Sequence, residues 1–236
     1  MTTESDIERR KAQLLTLKAA LADATNAVAA LDLGLMMVAA EIIHPPPILR
    51  QDLELASLLI FSQTTLERRI DIVRKVIALR TGGLLKAKQH EYPHKLGMFI
   101  QKAFNLISAS ATKDVWIRNT AAHSNYMVPN DGDPTLIPNP FDFESQERFN
   151  ERRGHKGRHP FKGAGLTASE LTEFADSLAI PLRQYGKLGA ILKLMLRGDR
   201  PVDLEAELIA LGKDLKLQAP LQVRPRRERQ KPTPQA

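Results

Sequence analysis

The chain has 236 residues, 43% of them hydrophobic, which is enough apolar side chain for a sizeable core and excludes global disorder. Aromatic residues make up only 5%, which disfavours a β-rich core and an aromatic platform for stacking bases, and the absence of cysteine excludes disulfides and thiolate metal sites. The formal net charge of +7 is compatible with nucleic acid or another acidic partner, and equally with many unrelated soluble proteins.

The first predicted element is a long helix. Ser5-Asp6-Ile7-Glu8 has the spacing of a capping box, so the helix begins there. Leu14, Leu17, Leu21, Ala24, Val28, Leu31, Leu35, Val38 and Ile42 then recur in alternating steps of three and four, a heptad-like stripe. Pro45-Pro46-Pro47 stops the helix at His44, roughly 55 Å from its start at 1.5 Å per residue, and Gly34 marks a bend. Residues 1–50 therefore pack either on the protein's own bundle or on a dimer partner. The N-terminus is charged and lacks an apolar signal core. The apolar stretch Leu31 to Ile43 is interrupted by Asp32 and Glu41 and is short for a bilayer. The expected location is the cytoplasm, with no membrane partner.

A second helix is predicted from about Asp52 to Arg80, ended by Thr81-Gly82-Gly83. Leu59, Leu66, Ile70, Val73 and Ile77 form its buried face, with Glu67, Arg68, Arg69, Asp71, Arg74 and Lys75 mostly on the other. A third starts near His94 and either continues or breaks around Ser110-Ala111-Thr112, where Thr112 would cap a fresh helix with Asp114 in its first turn. From 126 to 165 the helical pattern disappears. Pro129, Pro134, Pro138 and Pro140 punctuate this insert, and Asp131-Gly132 predicts a hairpin. Helix resumes at Thr167, with Glu170 at the capping-box position and Pro181 predicted to kink it. Its buried stripe is Leu171, Phe174, Leu178, Leu182, Tyr185, Leu188, Leu192 and Met195. A short helix within 201–217 precedes a basic tail, 218–236, whose composition predicts disorder. The expected fold is all-α: a bundle of four to five long helices, with an irregular insert before the last bundle helix.

The chemistry concentrates in Arg118-Asn119-Thr120-Ala121-Ala122-His123. Arginine is a permanent cation whose planar donor fork suits phosphate. Histidine exchanges protons near neutral pH. On a regular helix Asn119 and His123 share a face, whereas Arg118 and His123 stand about 140° apart. A two-fold dimer or a bend at His123 would make the groups converge, giving one histidine to accept a proton and another to donate one. The bland alternative pairs Arg118 with a neighbouring carboxylate and leaves His123 as a helix cap.

At these residues the sequence resembles the HEPN superfamily, helical bundles with an Arg-polar-x-x-x-His signature that often has Asn after the Arg. Arg118, Asn119 and His123 match the short form of that spacing, and the order of elements from about Glu54 to Arg197 fits as well. The resemblance implies a dimeric, metal-independent endoribonuclease that cleaves RNA through the 2′-hydroxyl and leaves a cyclic phosphate. Arg118 would then bind and polarise the phosphate, His123 act as acid or base, and Asn119 orient the site. It also implies a setting in toxin–antitoxin or antiviral systems, with a protein antitoxin among the partners. Other members of the superfamily keep the fold as non-catalytic protein- or RNA-binding modules. A helical structural or oligomerisation protein is the reading left if the N-terminal stripe matters most.

The densest basic cluster outside the tail, Arg148, Arg152, Arg153, Lys156, Arg158 and Lys162, lies on the insert that leaves His123 and is placed to track an RNA backbone; the alternative is a solvated loop. His90-Glu91-Tyr92-Pro93-His94 has the letters of a zinc-protease motif, but Pro93 opposes the helix that chemistry needs. His155 and His159, four apart among glycines and Pro160, lack further ligands. No metal and no cofactor are expected.

Overall fold

In the computed structural model, residues 4–43, 65–129, 132–139, 142–154, 165–197 and 201–221 are described. They form an all-α bundle carrying one small two-stranded sheet. The elements are α1 (Glu4–Ile43), α2 (Leu66–Leu85), α3 (Tyr92–Thr112), α4 (Val115–Ala122), β1 (Ser124–Met127), β2 (Thr135–Pro138), α5 (Phe143–Arg152), α6 (Ala168–Arg197) and α7 (Pro201–Leu215).

The central pair is α1 and α6, which share the most extensive interface among the described residues. The three-four stripe of α1 is what the interface buries: Leu17, Ala24, Val28, Leu31, Leu35, Val38 and Ile42 all lie in the core. The stripe thus packs within the protomer. The helix runs unbroken through Gly34. A Cβ there would stand 2.9 Å from Leu182 Cδ1, so the glycine lets α6 approach closely. α1 also contains an 18-residue window apolar enough to cross a membrane by length and composition, with 44% of that window buried inside the protein. The apolar run is therefore longer than the Leu31 to Ile43 segment alone.

α2 and α3 fold back on one another, and α2 also touches α1. Thr65 caps α2, accepting the Arg68 N–H at 3.3 Å. Arg69, expected on the outer face, instead forms a largely buried ion pair with Asp32 of α1 at 2.5 Å. Arg80 donates to the carbonyls of Ile42 and Ile43 at 2.9 and 2.8 Å, satisfying the last turn of α1. The predicted start of this helix near Asp52, and the proline run after His44, lie outside the described residues. Its end is corrected: α2 passes through Gly82-Gly83 to Leu85. Leu84 and Leu85 press on Gly97 of α3, where a Cβ would meet them at 3.2 and 3.1 Å. That anchorage outweighs the low helix propensity of the glycines.

α3 begins at Tyr92 with Pro93 in its first turn, where the missing N–H costs nothing. His90 precedes the helix, so the zinc-protease geometry is not formed. Among the described residues no three metal-ligating side chains cluster. His155 and His159 lie outside them. The break after α3 falls later than Thr112, whose hydroxyl bonds back to the Ser108 carbonyl at 3.0 Å; Asp114 takes the cap position of α4 instead.

The expected hairpin is present, with Gly132 at φ +113° and an antiparallel register that pairs Tyr126 with Leu136. Leu136 also bonds Leu166 in both directions, at 2.9 and 2.8 Å. The insert is not wholly irregular, however: α5 is a helix that sequence patterning misses. Its residues are mostly polar, and it is held by Phe149, 1% exposed against the edge of Trp116, and by Gln146 donating to the Asn139 carbonyl at 2.9 Å. The α6 capping box forms as expected: Thr167 N–H donates to Glu170 at 2.9 Å and Glu170 N–H to the Thr167 hydroxyl at 3.2 Å. Pro181 sits inside that helix. α7 packs on α6 and α3 and ends at Lys216, φ 55°, with Leu217 N–H reaching back to the Gly212 carbonyl at 2.8 Å.

Candidate functional site

The motif helix α4 is short because both ends are locally determined. Asp114 stands at its start with φ −118° and ψ 17°, and His123 at its end with φ −113° and ψ 16°. Val115 and Ala121 are buried, fixing which side faces the bundle. Arg118, Asn119 and Ala122 are exposed and spaced for one outward face. His123 is exposed too, at the point where helix gives way to strand. Its N–H bonds the Thr120 carbonyl at 3.1 Å, and the Ser124 hydroxyl bonds the same oxygen at 2.5 Å. These bonds tighten the last turn and send β1 away from the helix axis.

Arg118 donates to the Asn119 side-chain oxygen at 3.2 Å. The His123 ring makes no hydrogen bond or ion pair among the described residues. The three motif side chains thus sit on open surface with most of their hydrogen-bonding capacity unspent. Of the bland alternative, the pairing of Arg118 with a carboxylate is not realised among the described residues, whereas His123 does take the C-cap position of α4. Around them the surface includes Tyr126 and Val128, both exposed, and Lys18 of α1 lies 5.8 Å from the Tyr126 ring centre. Gln13 of α1 holds Asp133 beyond the hairpin turn at 2.5 Å.

The basic cluster divides. Arg148 lies within α5, Arg152 at its end and Arg153 just past it, while Lys156, Arg158 and Lys162 fall outside the described residues. Arg148 and Arg152 are exposed. Arg153 differs from them: it is half-buried, pairs with Glu170 at 2.7 Å and lies over the Phe149 ring at 5.4 Å. Burial pushes the Glu170 carboxyl upward, but hydrogen bonds from Arg153 and Thr167, with the Arg153 charge, hold it below the usual carboxylate range.

The other end of α4 contains residues that sequence patterning does not single out. Asp114, Trp116 and Ile117 line a depression closed by Arg152, Arg153 and the first turns of α6. The signal for it was Trp116, the single tryptophan of the chain. None of the three motif residues lines this depression.

Comparison with protein-family models, with curated proteins and with solved structures gives no match in any of the three. The likeness to HEPN domains accordingly rests on Arg118, Asn119 and His123 and on the order of the helices around them.

Proposed function

We propose that this chain is a HEPN-like, metal-independent endoribonuclease, working in the cytoplasm as a homodimer of the toxin or defence type. The observation that carries the reading is the joint exposure of Arg118, Asn119 and His123 at one end of α4, with the His123 ring unengaged. In this reaction a histidine removes the proton of an RNA 2′-hydroxyl, the oxygen attacks the adjacent phosphorus, and the 5′-oxygen leaves with a proton from the second acid. Arg118 stabilises the charge that gathers on the phosphoryl oxygens, and Asn119 holds the arginine fork through its side-chain oxygen. One copy supplies one acid/base, so two copies brought together about a two-fold axis complete the set.

A non-catalytic RNA- or protein-binding module of the same fold is the second reading. It is favoured by the open surface on which the motif lies, since a water-excluded site strengthens every catalytic charge interaction. The deciding experiment is RNA cleavage in the presence of a chelator, comparing the wild type with His123→Ala and Arg118→Ala. The nuclease reading expects 2′,3′-cyclic phosphate ends from the wild type and a loss of at least about 100-fold in either variant. Cleavage at equal rates by all three proteins overturns it, as does no cleavage by any folded form.

A further inference from the structure

The depression at the start of α4 encloses about 400 Å³, within the range of about 300–1,000 Å³ usual for small-molecule sites. Its walls are of three kinds. Trp116, Ile117 and Phe174 supply apolar surface. Arg152 is exposed and has no side-chain partner among the described residues, and the buried Nε of Arg153 has none either. Asp114 and Glu173 supply acceptors: the Asp114 carboxylate makes no capping bond, and Glu173 accepts the Ser169 hydroxyl at 3.0 Å through one oxygen. Glu170 is already engaged by Arg153 and Thr167.

This balance selects the ligand. Two guanidinium groups face three carboxylates, so a bare anion such as phosphate gains little there. A flat, neutral group with donors on one edge and acceptors on another suits it better. Guanine has that layout. Its O6 and N7 form an adjacent acceptor pair that an arginine fork meets bidentately. Its N1–H and 2-amino group form an adjacent donor pair that a carboxylate meets bidentately. Adenine, cytosine and uracil each lack one of these pairs, and any base stacks on an indole. From the juxtaposition of Trp116, Arg152, Asp114 and Glu173 we infer that the depression is a guanine-base site, open to a free guanine nucleotide or to a guanine residue of RNA.

The site stands beside the ribonuclease reading and does not depend on it, because base binding requires no cleavage. The single tryptophan gives one indole N–H resonance, and Trp116 lines the site, so that resonance reports occupancy directly. The full-length protein is titrated with GMP, AMP, CMP and UMP. It is then titrated with two 2′-O-methyl pentanucleotides, four uridines around one guanine or one adenine, which cannot be cleaved. The expected result is a saturable shift with GMP, with the guanine pentamer, or with both, at least about tenfold tighter than with any other base. The arm that responds names the source of the base. Arg152→Ala, at an exposed position, weakens that response about tenfold while the protein keeps its circular dichroism. No shift in any arm overturns the inference, as do equal responses to all bases and a guanine response that Arg152→Ala leaves intact.

Discussion

Arg153 and Glu170 stand 2.7 Å apart, and the same Glu170 carboxylate accepts the Thr167 N–H and hydroxyl. One side chain thus caps α6 and ties α5 to it. The Glu170 pKa is lowered in the folded protein, so its contribution to stability is complete above the ordinary value of 4.5 and is lost as pH falls through the depressed one. Glu170→Gln is expected to cost about 1–2 kcal/mol at neutral pH and to flatten the fall in stability below about pH 4.5. Thermal melts of both proteins from pH 7 down to about 3 check this. Parallel profiles would assign the acid response to other carboxylates.

Among the described glycines of the insert, Gly165 makes the tightest backbone contact. A Cβ there would lie 2.5 Å from the Leu136 carbonyl oxygen and 2.7 Å from the Thr135 hydroxyl. The carbonyl is held by the bridge between Leu136 and Leu166, where it accepts the Leu166 N–H at 2.8 Å. Gly165→Ala should therefore destabilise the protein by about 2–3 kcal/mol, seen as a lower midpoint in urea. A midpoint shifted by less than the experimental error would show that the hairpin can slide aside.

Removing the motif side chains should leave stability alone. Arg118 and His123 are exposed and hold nothing of the core. His123→Ala and Arg118→Ala are expected to melt within about 0.5 kcal/mol of the wild type. Any loss of RNA cleavage in these variants then reports chemistry and not unfolding.

Tyr185 and Ser108 share a hydrogen bond between buried hydroxyls that joins α3 to α6, at 3.0 Å. Burial pushes the Tyr185 phenol from 10.0 up to about 12. The stability gained by keeping it neutral is full below pH 10 and is lost as pH rises toward 12. Tyr185→Phe should cost about 1–2 kcal/mol at pH 7, because the Ser108 hydroxyl loses its buried partner. The same variant should lose less stability than the wild type between pH 7 and about 11, a comparison made by denaturant melts at the two values.

The legible parts of the fold were those set by neighbours in the chain. The stripe from Leu17 to Ile42 repeats on one helix and needs no distant information, and the Thr167–Glu170 box closes within one turn. The extension of α2 past Gly82-Gly83 was illegible because Leu84 and Leu85 are held by Gly97, an element away. Helix α5 was illegible for the same reason: Phe149 is anchored by Trp116 across the insert, and little else in that stretch is apolar. At the site, the motif's place near a helix end followed from the loss of the helical pattern at Tyr126. The separation of Arg153 from its basic neighbours did not, since Glu170 reaches it from another helix.

The dominance of the α1–α6 interface has a temporal side. During synthesis α1 emerges first, yet its principal partner begins only at Ala168. At elongation rates of about 5–20 residues per second, roughly ten seconds pass before that partner is available. Throughout that interval the newborn helix presents Leu31, Leu35, Val38 and Ile42 to whatever lies near the ribosome. The contacts are also distant in sequence, which slows closure even for a completed chain. Until α6 arrives, the stripe of α1 lacks the partner that covers most of it.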